Sequence, residues 1–167
     1  MIKSVLIFNT QGKPRLTRFY QQMSLELQQE VVKEIHSLVA RRPAVACNFL
    51  EGSKLLGGAD TRIIYRNYAT LYFVFVVDSS ESELGILDLI QVFVEALDRC
   101  FENVCELDII FHFEEAHYIL DEIISGGLVL ETNLAEILRA IQEQNRLVKS
   151  HSSQGSHALS ERSTGWM

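Results

Sequence analysis

The chain has 167 residues and a formal net charge of −7, with 47% apolar and 22% charged residues. This composition fits one globular domain with a proper core and excludes collagen-like, coiled-coil and wholly disordered chains. The acidic balance also excludes nucleic acid as the main partner, because phosphate binding needs a basic field. The charge is split along the chain. Residues 1–66 carry 10 basic and 5 acidic side chains, whereas residues 67–145 carry 2 and 16. Either two oppositely charged faces await partners, or the halves mix on folding.

The N-terminal apolar run ends at Asn9, too early for a signal peptide, and no run approaches the ~18 apolar residues of a membrane span. Three cysteines (Cys47, Cys100 and Cys105) without a CxxC pair fit a reduced, cytoplasmic protein.

In chain order, Val5 to Phe8 reads as a strand, followed by a turn at 10–14 and a second strand at Arg15 to Tyr20. Ser24 is a candidate cap for a helix with apolar residues from Leu27 to Val39, closed by Arg41-Arg42-Pro43. Three further strands are predicted at Cys47–Glu51, Arg62–Arg66 and Leu71–Val77. The last is apolar on both faces and belongs mid-sheet. Short, helix-free connections predict antiparallel pairing. Ser80 and Glu83 fit a capping box for a helix reaching about Glu102. A third helix is expected from Glu106 to Ser125, stopped by Gly126-Gly127. A fourth runs from Asn133 to near Leu147. From about residue 148 the chain is Ser-rich and aperiodic, which predicts a disordered tail.

The second helix is apolar around most of its circumference, with a narrow polar stripe at Asp88, Gln91, Glu95, Asp98 and Glu102. Its surplus needs either the later helices or another chain to cover it. Catalytic signals are weak. There is no phosphate-binding glycine loop. His112 and His117, five apart, lie about 140° apart around a helix and do not form a metal pair. Cys100 and Cys105 read as packed thiols.

Several strings carry a resemblance: MIKSVLIFNTQGKPRLTRFY, NFLEG, RIIYRNYATLYFVF and FENVCELDIIF. Over residues 1–147 the chain resembles the small (sigma) subunits of the clathrin-associated adaptor complexes. The long connection EGSKLLGGAD and the string VDSSESELGILDLIQVFVE are most like the sigma subunit of the third adaptor complex. The resemblance implies an α+β, longin-like (SNARE-like) fold: a five-stranded, antiparallel-rich sheet flanked by helices, ordered β-β-α-β-β-β-α-α-α. It implies a domain over 1–147, with 148–167 outside the family pattern.

It further implies a non-enzymatic subunit without cofactor or metal. Its partners would be a large delta-type subunit, contacted directly, a second large subunit and a medium subunit, in a coat peripheral to Golgi and endosomal membranes. The cytosolic tails of membrane cargo would supply acidic dileucine signals. By motif matching, Ala69, Leu71, Val94, Asn103 and Val104 fall at dileucine-pocket positions, and Arg15 falls beside the signal's acidic residue. Spacing alone reads Leu71 and Val94 as core and Arg15 as a solvated strand charge. The alternatives are a coatomer zeta-like subunit, a longin-type platform for a small GTPase and a cysteine-dependent enzyme.

Overall fold

The alternation of side chains along the central strands divides the core into two layers. In a computed structural model, which describes residues 1–43, 46, 48–52 and 54–160, the main sheet has the order β2-β1-β5-β4-β3. Its strands are β1 (Ile2–Asn9), β2 (Pro14–Phe19), β3 (Phe49–Glu51), β4 (Thr61–Tyr68) and β5 (Leu71–Asp78). Every neighbouring pair is antiparallel. As its two-faced apolar pattern predicts, β5 lies mid-sheet. Leu71, Phe73, Phe75 and Val77 enter one core layer, and Val74 and Val76 enter the other. Cys47, expected to open the third strand, lies outside the described residues.

One helix, α1 (Leu25–Ala40), covers the second layer with Val31, Val32, Ile35 and Val39. Ser24 caps it as expected, its hydroxyl accepting from the Leu27 amide at 3.3 Å. The opposite face carries α2 (Glu83–Phe101), α3 (Glu106–Phe111), α4 (Phe113–Ile123) and α5 (Leu134–Ser160). The fold is thus the expected α+β arrangement, with a two-stranded ribbon, β6 (Ile124–Ser125) and β7 (Leu128–Val129), added before the last helix.

Four local expectations are corrected. The α2 cap is Ser82, which accepts from the Gly85 amide at 3.3 Å. Ser80 instead bonds the Asp78 carboxylate, so the turn after β5 claims it first. The single third helix is broken at His112, whose φ of −123° leaves the helical region. Residues 110–115 are all exposed, so no burial holds that turn in a continuous helix. Gly126-Gly127 is the turn of the ribbon rather than a bare helix stop. Gly127 is required there, because a Cβ would stand 2.4 Å from the Ile2 carbonyl oxygen. Finally, α5 continues to Ser160, past the expected end near Leu147. Nothing from Gln142 to Ser152 is buried. Ser150 and Ser152 hydroxyls donate back to the Leu147 and Lys149 carbonyls, so each is satisfied within the helix.

Part of the split in charge is resolved inside the chain. Arg15 pairs with Glu106, Arg18 with Asp121 and Arg62 with Glu83, each joining the basic first section to the acidic second one. The surplus apolar surface of α2 is covered by α4 and α5, with the sheet beneath. The large apolar residues left exposed sit mainly elsewhere: Leu107, Ile110 and Phe111 on α3, Phe113 at the start of α4, and Leu128 and Leu130 at the ribbon.

Candidate functional site

The six residues singled out by motif gather at one end of the sheet. Leu71 begins β5, opposite Asn9 on β1 and Tyr68 on β4. The turn between β4 and β5 has only two residues, Ala69 and Thr70. Such a tight reversal forces Ala69 to a left-handed φ of 53°, which exposes its methyl group. Val94 lies on the sheet-facing side of α2. Asn103 and Val104 form the short link from α2 to α3, and Asn103 also takes a positive φ, 74°. Asparagine tolerates that region better than most residues.

Leu71, Val94 and Val104 share one apolar cluster and are 1%, 2% and 4% exposed. Of these five residues only Ala69 and Asn103 reach the surface, and the apolar trio is buried. Arg15 joins the group through a chain of polar contacts rather than directly. Its Nε donates to Glu106 Oε1 at 2.7 Å, and the same oxygen accepts from Asn9 Nδ2 at 3.0 Å. Asn9 stands across from Leu71, which links the charged end of the site to the apolar end.

Asp98 is the second organising residue. One carboxylate oxygen accepts from the Tyr68 hydroxyl at 2.9 Å and the other from the Val104 amide at 2.8 Å. Its carbonyl accepts from the Asn103 amide at 3.1 Å. One side chain on α2 thereby ties the β4–β5 turn to the α2–α3 link, the two edges of the site. The bond to Asp98 pushes the Tyr68 hydroxyl above its ordinary titration range, since losing the proton would set two anions together. The Arg15 bond, reinforced by Asn9, holds the Glu106 carboxyl below its ordinary value.

Sequence reasoning missed Asp98, Tyr68, Asn9 and Glu106. Asp98 carries the same signal as the rest of the polar stripe on α2, and Glu106 that of any acidic residue in a first helical turn. Their roles depend on which strand ends lie opposite, which spacing does not encode.

The other candidates lie apart from this site. His117 faces Arg18 with a 3.0 Å contact from Nδ1 to Nη2. His112 stacks on Phe101 with ring centroids 5.8 Å apart. Cys105 is exposed at the start of α3 rather than packed, because α3 turns its buried face toward Ile109. Cys100 is half-buried, and burial raises its thiol's pKa, which disfavours the thiolate. Among the described residues no group of three or more His, Cys, Asp or Glu side chains is placed to hold a metal ion. None of the described helices is long and apolar enough to cross a membrane.

Comparison with known proteins gives a consistent picture. The family model for the clathrin adaptor complex small chain matches residues 1–148. The human AP-3 complex subunit sigma-2 is 65% identical over 150 residues, covering 90% of this chain and 78% of that protein. The AP-3 complex subunit sigma of Schizosaccharomyces pombe is 65% identical over 144 residues, 86% of each chain. In Arabidopsis thaliana the corresponding subunit is 54% identical over 147 residues, 88% of each. A chain from a homology model of the full-length AP-3 complex in a stretched open conformation superposes with a TM-score of 0.70 at 44% identity. It covers 92% of this chain and 99% of that one.

Proposed function

The chain belongs to the clathrin adaptor complex small chain family, and from that premise we propose that it serves as the sigma subunit of an AP-3-type adaptor. In this reading it packs on a large subunit within a heterotetramer that also holds a second large and a medium subunit. It has no catalytic role and reaches Golgi and endosomal membranes only as part of the coat. The exposed apolar side chains of α3 and the ribbon support a subunit rather than a free-standing domain, since such patches are a liability in a monomer.

The same reading makes the end of the sheet a site for acidic dileucine signals on cargo tails. The observation that carries it is the double tie through Asp98. It ties the Ala69 turn to the link that carries Asn103, two lips of a site whose apolar members Leu71, Val94 and Val104 belong to one buried cluster. Two adjacent leucines entering between the lips would bury about 3–6 kcal/mol of apolar surface. Arg15, next to the lips, supplies the cation for the upstream acidic residue. Association costs consume several kcal/mol of this, so affinity in the micromolar range also needs backbone hydrogen bonds to the peptide. Many weak sites on one coat then act by avidity.

Two measurements test the proposal. Tagged chain recovered from cells should bring down two large chains and one medium chain, and its recovery alone would remove the subunit reading. Fluorescence anisotropy with the assembled complex should show micromolar binding of an acidic dileucine peptide. Ala69→Trp should abolish that binding, and Arg15→Ala should weaken it by less than about fivefold, the full worth of a partly exposed ion pair, because Arg15 already holds Glu106. Unchanged binding in both variants would move the site elsewhere.

A further inference from the structure

The setting of Arg15 carries one step more, which rests on the signal-binding reading above. We propose that Glu106 is a resident competitor for the signal's acidic residue and sets how strongly acidity is selected.

Arg15 does not wait as an unpaired cation. Its guanidinium already holds a carboxylate at 2.7 Å, in the ion-pair chemistry that a signal's Asp or Glu would use. The resident carboxylate is well seated. Glu106 Oε1 also accepts from Asn9 Nδ2, and Asn9 is itself 7% exposed and fixed by amide bonds from Gln11 and Lys13 to its own side-chain oxygen. Yet the pair lies at the edge of water, with 23% of the Arg15 side chain and 26% of the Glu106 side chain exposed. A carboxylate arriving from solvent can replace Glu106 there without a large desolvation cost. Once displaced, Glu106 keeps the Asn9 amide and lies within the field of Lys13.

The signal's acidic residue therefore gains only the difference between two similar ion pairs. A peptide without that residue leaves the resident pair untouched. Glu106 thus lowers the preference for acidic over neutral signals below what an unpaired Arg15 would give, and the leucines are left to supply most of the affinity.

The test compares two peptides on the assembled heterotetramer: an acidic dileucine peptide and the same peptide with its acidic residue replaced by alanine. The readout is the ratio of the two affinities, in which the fraction of folded protein cancels. Glu106→Gln keeps the size and the amide-accepting oxygen but removes the charge. It should raise the ratio about fivefold, and that gain should vanish when Arg15→Ala is added. A ratio that is unchanged, or that falls because Glu106 merely orients Arg15, overturns the competition while leaving the signal site standing. A wild-type complex that binds neither peptide overturns both readings.

Discussion

Helices α2 and α3 are built from similar apolar stock and end in opposite surroundings. On α2, Ile86, Leu89, Ile90, Phe93, Val94, Ala96 and Leu97 are buried, and Leu84 near its start is the large apolar side chain left exposed. On α3, Ile109 is buried while Leu107, Ile110 and Phe111 face outward at one-turn spacing. The difference follows from what each helix can find within its own chain. Lying across β4 and β5, α2 has α4 and α5 on its flanks. With six residues, α3 is too short to reach a second layer and too short to be stable by itself. A surplus of apolar residues in one segment therefore measures how much surface needs covering, not where the uncovered surface will be.

The sharpest test of this contrast is truncation on each helix. Phe93→Ala should cost about 3–5 kcal/mol in urea unfolding, as a fully buried aromatic in a packed layer. Phe111→Ser should change stability by less than about 0.5 kcal/mol, as a substitution on an open surface. It should instead reduce recovery of the large subunit. Equal losses at the two positions would break the comparison. Val94→Asp belongs with Phe93. It places an unpaired charge in the core and reports on folding, so it cannot report cleanly on signal binding.

Much of this architecture is legible from local pattern. The two-faced apolar run from Leu71 to Val77 requires a central strand, and short connections require antiparallel neighbours, because both follow from period and chain length alone. Ser24 and Asn133 are readable as caps for the same reason. Asn133 Oδ1 accepts from the Ala135 and Glu136 amides at 3.0 and 3.4 Å. Ser80 against Ser82 is not readable, since both are serines in capping position and the choice is made by the Asp78 turn. The break at His112 is invisible to periodicity, which continues from Ile109 through Ala116 as if the helix did. The apolar members of the candidate site emerge from family motifs, while the polar residues that bind its edges together depend on tertiary pairing.

Asp98 gives the next largest effect, at the junction between the two helices. Asp98→Ala removes the shared acceptor of Tyr68 and Val104 and should cost about 2 kcal/mol, given that hydrogen bonds to a charged group are each worth about 1.5–3 and this one is partly exposed. Hydrogen exchange at the Val104 amide should accelerate while amides of β5 stay protected. Asp98→Asn, which keeps one acceptor oxygen, should lose roughly half as much. Uniform acceleration across the sheet would show that the link to α3 is not a separable unit.

Acid should act on α4 before it acts on α3 and the end of β5. Burial, then the nearby Arg18, holds the His117 pKa below its ordinary 6.5. The unfolded chain therefore binds more protons there, and stability is lost as pH falls below that value. Glu106 and Asp78 act lower. The Glu106 carboxyl is held down by Arg15 and then Asn9. That of Asp78 is lowered to about 2, by the N-terminal ammonium and then Ser80. Both contributions are complete above the ordinary carboxylate range and fade as pH falls through the lowered values. Melting temperature should thus fall in two steps, and His117→Gln should remove the first. A single step in both proteins would sink the assignment.

The smallest effect concerns the hinge itself. Glu102 ends α2 in the left-handed region, with φ 52° and ψ 68°, its amide bonded to the Asp98 carbonyl. An L residue there carries about 1–2 kcal/mol of strain. Glycine removes the strain but adds freedom to the unfolded chain, at about 0.5–1 kcal/mol. Glu102→Gly should therefore raise the midpoint of urea unfolding slightly, by less than about 1 kcal/mol. The conformation of the link stays the same, so peptide affinity should not change. A stabilised protein that has lost the peptide would mean that Glu102 acts through its own carboxylate. The lip formed by Asn103 and Val104 would then extend one residue further toward α2.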